Sequence, residues 1–184
     1  MALSRYAAFL RGINVGGRRA FAMAAVREAF AAAGCQRVST VLATGNVVFD
    51  YDADSGDGQL ADLIGAALLT RFGLGIRLAL RPVEALRRLV EAEPFGGAAV
   101  TPETRLYLTL LDEAPTAPPT LPYAFTRCTG TIVACRESDV CSIIHLTPQG
   151  GTPEMMAELE KLFGPNITTR NWNTVTRILA AEEK

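Results

Sequence analysis

Between Tyr6 and Leu80 strand-like and helix-like stretches follow one another in the order β-α-β-β-α-β, which leaves few ways to pack them. Tyr6 to Leu10 is a short, almost continuous apolar run, suited to a central strand covered on one face and crowded on the other. Met23, Val26, Phe30 and Ala33 recur at helical spacing, with Gly34 placed to end that helix. The β-branched run Val38 to Leu42 and the run Val47 to Tyr51 flank Thr44-Gly45-Asn46, a hairpin signal. Leu60, Leu63, Ile64, Ala67, Leu68 and Phe72 mark one face of an amphipathic helix. Gly75 to Leu80 reads as a strand, and Pro82 opens a helix with Val83, Leu86, Leu89 and Val90 inward.

The segment after Glu93, with Pro94, Gly96, Gly97 and Pro102, reads as a boundary. Beyond it come a strand at Leu106 to Leu111, a proline-rich irregular stretch from Asp112 to Pro122, and a hairpin, Thr131 to Arg136 and Val140 to Leu146, turning at Ser138. Thr152 then caps and Pro153 opens a helix carrying Met155, Met156, Leu159, Leu162 and Phe163. An extended piece at Ile167 to Thr169 leads to a last helix with Val175, Ile178 and Leu179 inward, capped by Asn173 or Thr174. The second half thus repeats the element order of the first with its first helix degenerate. The expected fold is α+β: two ferredoxin-like modules in tandem, each βαββαβ plus a helix, with antiparallel sheets and helices on one face. The modules fall at 1–93 and 104–184, with 94–103 as linker.

Topology then brings two polar loops together. In a ferredoxin-like sheet the end of the first strand, the hairpin of strands two and three, and the start of strand four share one end. Arg11 and Asn14 should therefore approach Thr44 and Asn46. The stretch Arg11 to Arg19 joins strand to helix and holds Gly12, Gly16 and Gly17, which let backbone N–H groups turn toward one point, a nest suited to an anion. Arg11, Arg18 and Arg19 add planar forks that match phosphate or carboxylate, and the following helix adds the positive end of its dipole. Because the stretch matches neither GxxxxGK[ST] nor GxGxxG, neither a P-loop nor a dinucleotide fingerprint applies. The plain alternative is a strand-to-helix connection with solvated arginines. The candidate ligand set is Arg11, Asn14, Gly16, Gly17, Arg18, Thr44 and Asn46, with Arg170 as an outlying member from Thr169 to Thr174. That second segment also holds Trp172, the only tryptophan, which reads as an anchor in a core or interface rather than a base-stacking platform.

Composition narrows the rest. A 49% hydrophobic, 20% charged chain is globular, and a net charge of −1 removes the bulk attraction on which general nucleic-acid binders rely. An anionic small molecule is therefore the favoured partner, a nucleic-acid backbone the less favoured one, and the assembly a monomer or homodimer. No segment reaches bilayer length and the N-terminal apolar run is too short for a secretory signal, so the expectation is a cytoplasmic protein without a membrane partner. Cys35, Cys128, Cys135 and Cys141 lack zinc-site spacing and read as reduced, mostly buried thiols, with Cys135 and Cys141 facing each other across the hairpin. His145, the only histidine, reads as a satisfied core or edge imidazole. Asp50, Asp52, Asp54 and Asp57 read as a solvated acidic run or, less well, a weak divalent-cation site, and Glu91 and Glu93 as solvent-facing. No catalytic set, metal cluster or cofactor signature stands out, so the sequence does not decide whether the protein is an enzyme.

The stretches LRGINVGG at Leu10 to Gly17, TGNVVF at Thr44 to Phe49, EPF at Glu93 to Phe95 and RNWNTV at Arg170 to Val175 resemble the mostly bacterial family known as domain of unknown function 1697. The resemblance implies an α+β fold of two related halves and brings no activity, cofactor or catalytic residue with it. Family members commonly show QSGN where this chain has Ala43 to Asn46, the threonine keeping the hydroxyl. They also show a Gly-x-x-[RK]-Ser-Lys-like stretch where this chain has Gly150-Gly151-Thr152-Pro153-Glu154.

Overall fold

The computed structural model describes residues 3–14, 21–52, 57–148 and 150–182. These form five helices and two antiparallel sheets, an α+β fold, and the chain divides into two compact units: Met1–Arg88 with Arg177–Lys184, and Leu89–Thr176.

In the first unit β1 (Leu3–Leu10), α1 (Met23–Ala32), β2 (Gln36–Val41), β3 (Asn46–Asp52), α2 (Asp57–Phe72) and β4 (Leu78–Pro82) build a sheet of order β2-β3-β1-β4. β1 is central, as its apolar run requires: Tyr6, Ala8 and Leu10 pack with Val26, Phe30, Leu60, Ile64 and Leu68 under α1 and α2, while Ala7 and Phe9, on the opposite face, are buried as well. Gly34, at φ 88°, ends α1, its N–H donating to the Ala31 carbonyl at 3.0 Å. In α2 the apolar stripe is narrower than its sequence implies. Leu60, Ile64 and Leu68 are buried, and Ala67 and Phe72 pack partly buried against the same core, but Leu63 is exposed. Pro82 is the last residue of β4 rather than the first of a helix, and α3 (Val83–Glu91) follows directly with Val83, Leu86 and Leu89 buried.

The second unit continues with β5 (Thr104–Leu111), β6 (Tyr123–Ala124), β7 (Thr129–Arg136), β8 (Asp139–His145), α4 (Thr152–Phe163), β9 (Ile167–Asn171) and the start of α5 (Trp172–Glu182), its strands in a sheet of order β6-β7-β8-β5-β9. With the short β6 set aside, β7-β8-β5-β9 repeats β2-β3-β1-β4 strand for strand, and an irregular segment stands where α1 would be. The repeat extends to single bonds. Leu10 N–H donates to the carbonyl of Gly45 in the β2–β3 turn at 2.7 Å, and Leu111 N–H to that of Ser138 in the β7–β8 turn at 2.8 Å. β6 was not foreseen, since two residues carry no periodicity.

Helix caps differ from the sequence reading for local reasons. The N-cap of α4 is Gly151, whose N–H donates to the Glu154 carboxylate at 2.8 Å; Thr152 is already helical, and its hydroxyl lies 2.9 Å from that of Tyr107. At α5 it is Asn171, not Asn173 or Thr174, whose side-chain oxygen accepts the N–H of Asn173 at 3.0 Å.

Candidate functional site

Three segments meet where β1 leaves its sheet. Besides the bond from Leu10 to Gly45, Arg11 N–H donates to the Arg77 carbonyl at 2.8 Å, so the β1 exit, the β2–β3 turn and the approach to β4 are joined through the backbone. Gly12 at φ 70° and Asn14 at φ 55° bracket Ile13 and fold its side chain into the core. The Asn14 amide nitrogen donates to the carbonyls of Ala43, at 2.7 Å, and Phe21, at 3.1 Å, while its oxygen accepts the Phe21 N–H at 2.6 Å. One side chain thus ties Asn14 to Phe21 and to the turn. Phe21 in turn packs edge-on against Phe72, with ring centroids 4.9 Å apart.

Asn46 is buried; its amide donates to the Val41 carbonyl at 3.0 Å and to the Thr44 hydroxyl at 3.1 Å, fixing the turn and the Thr44 rotamer. Thr44 is exposed, Arg11 half-buried and Arg77 exposed. Gly16, Gly17 and Arg18, with Arg19, lie outside the described residues. Arg170 belongs to the other unit, on β9 opposite Leu108; its guanidinium donates to the Thr169 carbonyl at 3.1 Å, and burial pushes its pKa down to about 10. Sequence reasoning missed Arg77. The signal was available in the topology, which already sent the start of strand four to this end.

Asp50 overturns the solvated-run reading. It is 1% exposed, bonded to Arg5 at 3.0 Å and to Arg37. Burial works against its charge, but the hydrogen bonds from Arg37 and Arg5 prevail and hold its carboxyl below the usual carboxylate range. Asp52 is half-buried, while Asp54 and the Asp57 side chain lie outside what the structure describes. Among the described residues no group of three His, Cys, Asp or Glu is placed to hold a metal ion. Glu91 and Glu93 are exposed, as expected. His145 is exposed at a strand end, its Nδ1 3.2 Å from the Thr104 hydroxyl. The four cysteines are free, and Cys141 sits opposite Ala134, not Cys135, because the tight turn at Glu137-Ser138 sets Arg136 opposite Asp139 and so Cys135 opposite Val140. Burial pushes the thiols of Cys35 and Cys141 up to about 12 and raises those of Cys128 and Cys135, so none is poised as a thiolate. A shallow groove of 440 Å³ opens between α1 and the start of β2, lined in part by Arg27, Cys35 and Arg37, at the other end of β2 from the Thr44 turn.

Glu158 was not singled out in the sequence. It is buried on α4 and accepts from the Tyr123 hydroxyl at 2.9 Å, from the Thr126 N–H at 2.9 Å and hydroxyl at 3.1 Å, and from the Arg127 N–H at 3.3 Å. Burial opposes its ionisation, and these bonds outweigh it, lowering its pKa. The EPF and RNWNTV stretches also meet: Phe95 and Trp172 pack edge to face with centroids 4.9 Å apart, which makes Trp172 an anchor.

The family model of the protein of unknown function DUF1697 matches residues 3–127. The chain belongs to this family. The match takes in the Arg11 loop, the Thr44 turn and the Glu93–Phe95 stretch of this DUF1697 chain and stops before Arg170–Val175. No curated protein matches it. Among solved structures, the conserved bacterial protein SP0830 from Streptococcus pneumoniae is similar in fold, with a TM-score of 0.66 at 17% identity over 100% of both chains. No helix among the described residues of the DUF1697 chain is long and apolar enough to cross a membrane.

Proposed function

We propose that the protein binds an anionic, phosphate-bearing small molecule or a nucleic-acid backbone at the end of the first sheet, on a pair of modules that we read as ferredoxin-like. The observation carrying this reading is the backbone junction of Arg11, the Thr44 turn and the approach to β4, which leaves Thr44 exposed and Arg11 within reach of solvent. In this reading Arg11 and Arg18 supply guanidinium forks, Gly16 and Gly17 supply backbone N–H groups, and Thr44 supplies a hydroxyl. Asn14 and Asn46 are positioning residues, the first holding the loop on the turn and the second orienting Thr44. Arg170, the outlying candidate, stands in the other unit.

A thermal-shift screen of nucleotides, sugar phosphates and short oligonucleotides tests the proposal, since a ligand that binds only the folded state raises its stability. The expected result is a ligand whose shift disappears in Arg11→Ala. Absence of any arginine-dependent shift overturns it.

The second reading is an interaction or structural protein in which the motif residues stitch the two halves or a dimer together. The three bonds of Asn14 favour it, since they consume the side chain in holding loop to turn. Asn14→Ala then lowers stability by about 1–3 kcal/mol. Under this reading the loss comes with no ligand response to lose, and Arg11→Ala alters sedimentation or melting alone.

A further inference from the structure

On α1, Ala24, Arg27, Glu28 and Ala31 fall at i, i+3, i+4 and i+7 and so share one face, which lines the 440 Å³ groove together with Cys35, Arg37 and Val38. The two alanines are exposed and too small to fill the space beside them. Cys35, 5% exposed and kept protonated by burial, and the half-buried Val38 extend the apolar surface.

Consecutive residues of a regular strand point to opposite faces, yet Arg37 and Val38 both line the groove. A β-bulge reconciles the two facts. Gln36 stands opposite Asp50 and Ser39 opposite Val48, so Arg37 and Val38 together occupy the place opposite Phe49. Arg37 takes φ 46° there, an uncommon conformation for a residue with a side chain. The irregularity thus sets a guanidinium beside an apolar surface.

Arg27 reaches from α1 to β2, its Nη1 donating to the Thr40 hydroxyl at 3.2 Å, and among the described residues no carboxylate pairs with it. Arg37 donates through Nε to Asp50, which Arg5 also holds, and its terminal nitrogens have no further partner among the described residues. Each guanidinium therefore keeps a pair of N–H donors for an acceptor. Glu28, the acid on the same lining, is engaged by Arg71 of α2 at 3.3 Å. Two cations thus stand against one anion on a lining that is otherwise apolar.

We infer that this groove is a ligand site, separate from the end of the sheet at Thr44, for a small apolar molecule carrying a single carboxylate. Its apolar body covers Ala24, Ala31, Cys35 and Val38, and its planar carboxylate takes a guanidinium fork. The volume falls in the range of about 300–1,000 Å³ in which small-molecule sites lie. The one positive charge in surplus suits a monoanion. In the second unit an irregular segment stands where α1 would be, so the arrangement occurs once per chain among the described residues.

An amide NMR titration of the whole protein with cinnamate, and with neutral cinnamamide beside it, tests the inference. Cinnamate is expected to give saturable shifts on both walls, at residues 24–31 and 35–38, with an affinity about tenfold or more above that of the amide. Two variants at exposed positions, which should fold as the parent does, separate charge from space. Arg27→Gln should weaken cinnamate about fivefold or more and leave cinnamamide unchanged, whereas Ala31→Trp, which fills the groove, should weaken both. Equal affinity for acid and amide, either variant binding cinnamate like the parent, or no saturable shift on these walls overturns the site. A cinnamate response confined to the Thr44 turn also overturns it and speaks for the sheet-end site instead.

Discussion

Asp50 and Glu158 are buried carboxylates that never touch the candidate ligand surface, yet they set how the molecule answers to acid. Each has a folded pKa below its unfolded value. The stability each contributes is therefore present above the unfolded pKa, near 4, and is lost as pH falls through the depressed folded value. Urea melts should show a flat stability above about pH 5 and a fall below pH 4 that Asp50→Asn makes shallower. At neutral pH Asp50→Asn should itself cost about 1–3 kcal/mol, since it weakens the bonds from Arg5 and Arg37. Gly45 is the other position where a single atom decides. At φ 82°, a β-carbon there would lie 2.7 Å from Ile13 Cγ1 and 3.0 Å from Leu10 Cβ. Gly45→Ala should destabilise by about 2 kcal/mol or more, measured by denaturant unfolding, because both the dihedral and the contact oppose it.

At the scale of elements, α4 holds an irregular segment through one side chain. Glu158→Gln keeps the shape but exchanges an acceptor for a donor facing the N–H groups of Thr126 and Arg127. Amide exchange at residues 125–128 should speed up while that of α4 itself changes little. The order of elements was legible because Gly45, Gly34 and the Leu60-Ile64-Leu68 row are local signals, readable within a few residues. What escaped reading depends on distant partners: Asp50 meets Arg5 from 45 positions away, Glu158 meets Tyr123 from 35, and Arg77 joins Arg11 only across a ladder. Caps escaped for the opposite reason. Asn171, Asn173 and Thr174 are all competent, and the choice among them rests on where β9 stops.

For the molecule as a whole, the division between the two compact units runs inside two helices, at Arg88/Leu89 in α3 and Thr176/Arg177 in α5. Ile178 and Leu179, buried residues of α5, belong with the first unit although they follow the whole of the second. Ile178→Ala should cost about 2–5 kcal/mol. Truncation after Thr176 should lower the melting temperature and expose the first unit to limited proteolysis ahead of the second. During synthesis a ribosome releases the chain from its N-terminus, and early domains ordinarily finish first. Here the unit that begins first is the one that must wait, held incomplete until residue 177 and those after it have cleared the exit tunnel.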